Sequence, residues 1–286
     1  MTTIGIVGGS GLYRIDGLTD IEEREIRTPF GAPSDLVTLG RLGEVRLAFL
    51  PRHGAGHRLT PSEVPYRANI WALRSLGAEF VLAISAVGSM REEIEPGHVV
   101  VPDQLIDWTR GLRPSTFFGD GVVAHVQFAD PYCNAWARLV AETARAEGAK
   151  VHAGGTLICM EGPQFSTRAE SKLYRSWGVD IIGMTALPEA KLAREAELCY
   201  ATLAMVTDYD CWHEGHDDVS VEAVVAVLKR NTALAQRVIR AIATNKLPER
   251  NCACKDALRD GLMTNRRTWP PGVRERLGIL IDRYCG

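Results

Sequence analysis

Two aspartates follow a long apolar run in the carboxyl-terminal half of the sequence. Asp208 and Asp210 lie in the segment TDYDCW, directly after ATLAMV. On an extended chain, side chains at positions i and i+2 point to the same side. Such carboxyl groups accept hydrogen bonds from an amino group, and burial that raises a carboxyl pKa lets it give a proton to a departing nitrogen base. Aspartates in a strand-to-loop turn are more often ordinary turn chemistry, so the pair alone leaves both interpretations open.

A second set of residues has the donors that bind a phosphate group. The segment LPRHGAGH places an arginine and a histidine directly after an apolar run. A guanidinium offers phosphate oxygens a planar fork of N–H donors. Hydroxyl and small residues follow other apolar runs, at the strand ends where α/β sheets bind ligands. The candidate phosphate-binding residues are Ser10, Arg52, His53, Ser85, Ala86 and Thr185. Taken singly, Ser85 and Thr185 are more often plain strand-end hydroxyls, so that interpretation stays open for both.

The glycine-rich amino-terminal segment IGIVGGSGL does not have the spacing of a known dinucleotide loop. Its glycines stand at positions 5, 8, 9 and 11, whereas a Rossmann loop needs G-x-G-x-x-G opening a helix. A strand that runs into glycines and Ser10 is either a small phosphate loop or a tight turn. His53 and His57 have the spacing of one arm of a metal site, but HGAGH lacks the glutamate of H-E-x-x-H and further ligands. We therefore expect no metal at this position.

Two apolar residues are candidates for the wall of a binding pocket. Phe165 lies in EGPQFSTRAE, between a predicted strand and a predicted helix, where an aromatic ring can stack on a flat base. Met184 lies at a predicted strand end in GMTALPEAKLA and can contact a sugar. Core packing is the alternative for both. Glu189 is either a charge in the first turn of a helix or a sugar contact, and we assign it no catalytic role.

The composition excludes several classes of protein. The chain has 286 residues, of which 46% are hydrophobic and 24% charged, with a formal net charge of −2. These are values of an ordinary globular protein, and no basic stripe indicates a nucleic-acid partner. The sequence predicts neither a membrane span nor a secretory signal. Seven scattered cysteines favour reduced thiols and a cytoplasmic location over a disulfide framework.

Cys252 and Cys254 form a C-x-C motif near the end of the chain. Two sulfur atoms so close in sequence make a strained disulfide at best. A zinc site would need two further ligands. We therefore predict free thiols here and no metal in the chain.

Short apolar runs alternate with amphipathic stretches, which indicates an α/β fold with a largely covered sheet. Thr167 with Glu170 has the capping-box spacing, and Pro188 suits a first helical turn. We predict a single domain, with a main part over residues 1–245 and an appended carboxyl-terminal segment over 246–286. The predicted strands are residues 3–8, 45–50, 80–86, 156–161, 179–184 and 200–206, and the predicted helices are 65–76, 134–147, 167–177, 188–195 and 221–243.

Together these segments resemble the purine nucleoside phosphorylase family, and within it the 5′-methylthioadenosine phosphorylases. The motifs that carry the resemblance are GIVGGSGL, TPFGAPSD, RHGAGH, YRANIWAL, SAVGSMREEI, EGPQFSTRAE, MTALPEAKLA and TDYDCW. The resemblance implies an α/β fold with a central mixed sheet flanked by helices, and a homotrimer. It implies that methylthioadenosine and phosphate give adenine and methylthioribose 1-phosphate without a cofactor, phosphate being a co-substrate.

The resemblance also implies roles for individual residues. The six candidate phosphate-binding residues would hold phosphate, while Phe165 and Met184 would line the nucleoside. Asp208 and Asp210 would recognise the 6-amino purine, with Asp208 as the proton partner of N7. His125, in VAHVQF, matches a residue that reaches the neighbouring subunit's pocket for the 5′ group. The carboxyl-terminal segment, which matches weakly, is expected to help line that pocket.

The sequence leaves three other functions open. A phosphorylase of 6-oxopurine nucleosides would be better served by Asn than by Asp208, because the oxo group accepts a hydrogen bond. A hydrolytic nucleosidase would not need Arg52, His53 and the hydroxyl residues. A catalytically silent nucleotide-binding protein is disfavoured because every expected type of site residue is present. Phosphate-dependent cleavage of methylthioadenosine distinguishes the function that the resemblance implies from all three rivals.

Overall fold

The computed structural model describes residues 1–9, 11–214 and 221–285. Within these residues a mixed β-sheet is flanked by helices, as predicted. The strands are β1 (Thr2–Gly8), β2 (Thr19–Arg24), β3 (Val37–Leu42), β4 (Val45–Pro51), β5 (Ala78–Ser89), β6 (Val99–Val101), β7 (Gln104–Trp108), β8 (Val151–Ala153), β9 (Thr156–Met160), β10 (Ile181–Gly183) and β11 (Cys199–Asp208).

The five predicted helices begin and end close to their predicted bounds, and a sixth, in the carboxyl-terminal segment, was not predicted. The capping box of Thr167 and Glu170 forms at the start of the third helix. The fourth helix has non-helical backbone angles at Leu187, so its regular turns begin at Pro188. The helices are α1 (Tyr66–Ser75), α2 (Asn134–Ala146), α3 (Arg168–Ser176), α4 (Ala186–Glu195), α5 (Val221–Thr244) and α6 (Val273–Ile281). Among the described residues, no helix combines the length and apolar character needed to cross a bilayer.

The strand order brings several carboxyl ends to one edge of the sheet. β5 is the central strand and pairs in parallel with β1 and β11, while β1 also pairs in parallel with β4. β10 runs antiparallel to the end of β5, with Ile181 opposite Ser89. Because the carboxyl ends of parallel strands meet at one edge, the loops after β1, β4 and β11 open beside the last residues of β5.

The central strands are buried on both faces, which explains their nearly continuous apolar runs. Along β1, Ile4 and Ile6 pack into one hydrophobic cluster while Val7 packs into the other. β5 and β11 alternate in the same way, since successive strand residues point to opposite faces. Helix α5 covers one face with Ala235 and Val238, both fully buried.

Five strands were not predicted: β2, β3, β6, β7 and β8. Four of them are short or solvent-exposed, whereas β3 is buried at five of its six positions and was missed because Gly40 and Arg41 interrupt its apolar run. All six residues of β2 are exposed, and β6 and β8 have three residues each. Such segments lack the long apolar run by which a strand is recognised. They extend the sheet at its margins and do not surround the site described below.

The carboxyl-terminal segment packs onto the rest of the chain. Leu258, Leu277 and Ile281 are fully buried in the same hydrophobic cluster as β1 and β5 residues. Cys254 is buried in the second cluster. The segment therefore contributes to both hydrophobic clusters that cover the sheet.

Candidate active site

A cavity of about 750 Å³ opens at the carboxyl ends of β1, β4, β5, β10 and β11. Its volume and its position at strand ends are typical of a small-molecule site. The structure brings nine predicted site residues to its lining: Arg52, His53, Ser85, Ala86, Phe165, Met184, Thr185, Asp208 and Asp210.

The two other predicted site residues are Ser10 and His125. Ser10 lies outside the described residues, although Gly8 and Gly9 before it line the cavity. His125 is exposed, and its backbone N–H donates to the Gly261 carbonyl at 2.8 Å. It lies apart from its own chain's cavity, so its predicted role in a neighbouring subunit stays a prediction. No residue of the described carboxyl-terminal segment lines the cavity of its own chain either.

Arg52 is buried at one end of the cavity, and its guanidinium donates hydrogen bonds to several acceptors there. Its Nε and Nη2 donate to the two carboxylate oxygens of Glu189 at 2.9 and 3.0 Å. Nη1 and Nη2 also donate to the backbone carbonyls of Ile84 and Val7. Burial alone would lower the pKa of Arg52, but Glu189 raises it, so the guanidinium stays charged. These four contacts fix the guanidinium plane and use four of its five N–H donors.

His53 stands beside Arg52 as a neutral imidazole. Burial and the charge of Arg52 lower the pKa of His53 to about 4. Its Nδ1 lies 2.8 Å from the Leu59 carbonyl, so Nδ1 carries the proton and donates. The ring stacks on His57 with centroids 4.2 Å apart. Nε2 is then an acceptor, which suits the hydroxyl of monohydrogen phosphate.

Thr185 lies where helix α4 meets the cavity. It is the N-cap residue of α4, yet its side chain makes no capping hydrogen bond. Ser85 and Ala86 line the same end from β5. The beginning of a helix carries a partial positive charge. Together with Arg52, these groups make this end of the cavity suitable for an anion.

The carboxyl groups of Asp208 and Asp210 stand on the cavity lining, but by a different geometry from the one predicted. β11 ends at Asp208, and Asp210 has a left-handed backbone with φ of 52°. The extended-chain argument therefore does not apply to this pair. The turn instead directs the Asp210 backbone N–H to Asp208 Oδ1 at 2.8 Å, so the loop itself holds the first carboxylate in place.

Both carboxyl groups retain protons more readily than an ordinary aspartate. Burial raises the pKa of Asp208, and the neighbouring Asp210 charge adds to the rise. Hydrogen bonds from the Thr207 hydroxyl, at 2.6 Å to Oδ2, and from the Asp210 N–H oppose it. Burial also raises the pKa of Asp210. A buried carboxyl of raised pKa is the group that general acid catalysis requires.

Gly88 leaves the space that the Asp208 carboxylate fills. A Cβ at this position would stand 2.9 Å from Asp208 Oδ1 and 3.0 Å from Ile182 Cγ2. Both distances are below ordinary van der Waals contact. Glycine near the end of β5 is therefore a packing requirement of the Asp208 carboxylate.

Phe165 and Met184 form the apolar wall. Phe165 is 46% exposed and lines the cavity, so it is not a core residue. Met184 Sδ packs against Gly162, where an added Cβ would come within 2.6 Å. Met160 and Pro163 complete this wall. An exposed ring at a cavity is placed to stack on a flat ligand.

Sequence reasoning missed the residues that position the site. Glu189 is neither a sugar contact nor a simple helix charge, because it is 1% exposed and binds Arg52. The Tyr200 hydroxyl also donates to it at 2.9 Å. Arg113 donates to the carbonyls of Met184 and Leu187 at 2.6 and 2.9 Å. Glu189 and Arg52 are 137 residues apart, and no local pattern in the sequence connects them.

The fold and the cavity define a class of protein. Residues 3–244 match the family model described as the phosphorylase superfamily. Apart from Thr2, the first residue of β1, the match covers the whole sheet, and it covers all residues on the cavity lining. The mixed sheet, the cavity at its strand ends and the family match agree on this class.

Relatives along the whole chain narrow the class. The chain is 57% identical to S-methyl-5′-thioadenosine phosphorylase of Geobacter sulfurreducens over 98% of each chain, and 48% identical to that of Emericella nidulans over 98% of this chain and 83% of the relative. The chain belongs to the S-methyl-5′-thioadenosine phosphorylase family.

Solved structures of similar proteins have the same fold as this chain. A methylthioadenosine phosphorylase from an antarctic soil metagenomic library has a TM-score of 0.90, with 48% identity over 98% of each chain. A mutant of the adenosine/methylthioadenosine phosphorylase of Schistosoma mansoni, in complex with methylthioadenosine, has a TM-score of 0.77. It is 36% identical over 85% of this chain and 91% of that one. The fold is therefore that of nucleoside phosphorylases that bind methylthioadenosine.

Proposed function

We propose that this chain catalyses the phosphorolysis of 5′-methylthioadenosine to adenine and 5-methylthioribose 1-phosphate, in purine and methionine salvage. One observation carries the proposal: a single cavity has a fixed cation at one end and two carboxyl groups of raised pKa at the other. We call these the phosphate end (Arg52, His53, Ser85, Ala86 and Thr185) and the base end (Phe165, Asp208 and Asp210). Membership of the family supports the choice of substrate.

At the phosphate end, the protein holds the nucleophile. Arg52, anchored by Glu189, supplies positive charge at a fixed position, and the hydroxyls of Ser85 and Thr185 donate to phosphate oxygens. Ser10, which follows Gly9 at the end of β1, adds a third hydroxyl in this proposal. Catalysis here is positioning and electrostatics, because phosphate attacks the sugar directly and needs no covalent intermediate.

At the base end, the protein stabilises the leaving group. As the bond between C1′ and N9 breaks, its electron pair goes to adenine and the sugar gains oxocarbenium character. Asp208 gives or shares a proton at N7 while Asp210 accepts from the 6-amino group. The proton that adenine gains is balanced by the one that monohydrogen phosphate loses. Phe165 stacks on the base and Met184 contacts the ribose. The reaction requires no further cofactor or catalytic metal.

We infer that the enzyme acts as a homotrimer in the cytoplasm. His125 is exposed, and beside it Val123 and Met263 are 45% and 63% exposed. The Met263 N–H donates to the Val123 carbonyl at 2.9 Å, so His125 and the carboxyl-terminal segment form one partly apolar surface. A neighbouring subunit whose 5′-pocket is closed by His125 would cover it. Light scattering of the purified chain tests this directly: a monomer would contradict it.

The proposed reaction is tested by the initial rate of base release from methylthioadenosine, with and without phosphate, followed by chromatography. We expect adenine and a phosphorylated sugar to appear only when phosphate is present. Adenine release that is independent of phosphate would indicate a nucleosidase. If nothing is released from methylthioadenosine but methylthioinosine is cleaved, the substrate is a 6-oxopurine nucleoside.

A further inference from the structure

Four cysteines from three separate segments of the chain meet at one point. Cys133 precedes α2, Cys199 is the first residue of β11, and Cys252 and Cys254 lie at a short 3₁₀ turn over Ala253–Asp256. All four are free thiols, and their sulfur atoms lie within 4.8 Å of one another. We call these four residues the cysteine cluster. The two further ligands that the C-x-C motif needs for a metal are therefore present.

The spacing of the sulfur atoms is that of a tetrahedral thiolate site. A zinc ion with Zn–S bonds of about 2.3 Å places its four sulfur ligands about 3.8 Å apart. In the cysteine cluster the Cys252 sulfur lies 3.7 Å from that of Cys133 and 3.4 Å from that of Cys199. Because Cys252 stands between two partners at nearly equal distances, the arrangement selects no single disulfide pair.

The end of one helix favours a thiolate in the cluster. Cys133 is the N-cap residue of α2, so its sulfur lies at the positive end of that helix. Three of the four cysteines are buried, and all four pack in one hydrophobic cluster, so solvent has little access to their sulfur atoms. A zinc centre with four thiolates carries two net negative charges, which the amino-terminal end of α2 partly offsets.

We propose that the cysteine cluster binds one zinc ion as a structural centre. Four protein ligands close the coordination shell, which is typical of structural and not of catalytic zinc. Cys199 and Asp208 stand at opposite ends of the ten residues of β11, roughly 30 Å apart along the strand. The ion would join the carboxyl-terminal segment to α2 and to the strand that carries Asp208, remote from the chemistry.

The first test is the metal content of the full-length chain, purified without a histidine tag and without chelator, by plasma mass spectrometry. We expect about one zinc per chain in the wild type. The Cys254→Ser and Cys133→Ser variants should lose it, whereas Cys285→Ser should retain it, because Cys285 is a free thiol outside the cluster. A wild type with far less than one zinc per chain contradicts the proposal, as does a Cys254→Ser variant that keeps it.

A second measurement uses only the wild type, in case the variants fold poorly. The chain is denatured in chelator without reductant and its thiols are alkylated, then weighed by mass spectrometry. The proposal predicts that all seven cysteines are alkylated and that zinc is released. Disulfides would protect Cys133, Cys199, Cys252 and Cys254 from alkylation and would make the chain lighter by two hydrogen atoms per bridge. That result would overturn the zinc proposal.

A third measurement identifies the ligands. Cobalt exchanged into the protein should give the intense visible and near-ultraviolet absorption of a tetrahedral thiolate complex. That spectrum should be absent from Cys133→Ser and present in Cys285→Ser. The same samples should show a lower Tm after zinc removal in the wild type, because a metal bound only to the folded state stabilises it. An octahedral cobalt spectrum, or a Tm that does not change, would contradict a four-cysteine structural centre.

Discussion

The two ends of the cavity handle buried charge in opposite ways. At the phosphate end, Arg52 is 3% exposed but remains a cation because Glu189 lies against it. At the base end, burial raises the pKa of both Asp208 and Asp210, and the charge of Asp210 raises the pKa of Asp208 further. One end thus offers a permanent charge to an anionic co-substrate. The other offers carboxyl groups that are ready to hold a proton for a departing base.

The two ends of the cavity should also differ in how their residues contribute to stability and to catalysis. A buried ion pair that loses one partner leaves an uncompensated charge in the interior, which strongly destabilises a protein. A buried carboxyl of raised pKa has the reverse effect: its ionised form costs folding energy, and its loss does not. Loss of Glu189 at the phosphate end should therefore lower stability and weaken phosphate binding together, whereas variants at the base end should change turnover or nucleoside binding without lowering stability.

The largest effect is expected from Asp208→Asn. Loss of a general acid lowers turnover by about 10²- to 10⁴-fold, and kcat for methylthioadenosine should fall by this amount with the KM for phosphate nearly unchanged. In the wild type the rate should decline as pH rises through the raised pKa of Asp208, and this limb should vanish in the variant.

The stability of Asp208→Asn is a sharper check on the base end. The folded-state pKa is above the unfolded value of about 3.9, so ionised Asp208 destabilises the fold at pH values above that. The Tm of the variant near neutral pH should therefore equal or exceed that of the wild type. A large drop in Tm would show that Asp208 is a structural group.

Glu189→Gln should give the next largest effect, at the phosphate end. Removing the charge of Glu189 leaves the buried Arg52 guanidinium unpaired, which costs about 3–5 kcal/mol of folding free energy. Chemical denaturation measures this loss, and steady-state kinetics should show a higher KM for phosphate. Stability equal to that of the wild type would mean that the ion pair does not hold Arg52 in place.

Phe165→Ala tests the wall of the base end. Stacking of a base on an aromatic ring contributes about 1–3 kcal/mol, so KM for methylthioadenosine should rise by roughly 5- to 100-fold. Phe165 is half-exposed, and Tm should hardly change. Phe165→Tyr keeps the ring and serves as the matched control; if both variants raise KM equally, stacking is not the function of Phe165.

Gly88→Ala should have the smallest effect of the four. The added methyl group would stand 2.9 Å from Asp208 Oδ1 and shift that carboxylate by a few tenths of an ångström. We expect kcat/KM to fall by about tenfold, since misplacement of 1 Å can cost about 100-fold. Gly183→Ala adds a methyl group to the same cavity, 3.4 Å from Val87, and should lose less. Equal losses would mean that the crowding is not specific to Asp208.

Much of the fold was predictable because its central strands are buried on both faces. The apolar runs of β1, β4, β5 and β11 predict strands within about three residues of their observed ends. The exposed strand β2 and the three-residue strands β6 and β8 have no comparable pattern. Their place in the sheet depends on neighbours that are distant in sequence.

The residues of the site likewise divide into those that the sequence predicts and those that it does not. Each strand-end motif predicts a residue that faces the cavity, since strand ends in an α/β sheet converge. The supports of those residues were not predictable: Glu189 reaches Arg52 across 137 positions. Likewise, Cys252 meets Cys133 across 119 positions and Cys199 across 53. Only the folded chain brings such partners together.

The most direct test of the proposed base end is the ratio of kcat/KM for methylthioadenosine to that for methylthioinosine, at saturating phosphate. Asp210 accepts from a 6-amino group in the proposed mechanism, and a 6-oxo group has no hydrogen to give. We predict a preference of roughly 5- to 100-fold for methylthioadenosine, because the buried Asp210 acceptor left unpaired by the 6-oxo group costs about 1–3 kcal/mol. Equal rates, or a preference for methylthioinosine, would contradict the assignment of Asp208 and Asp210.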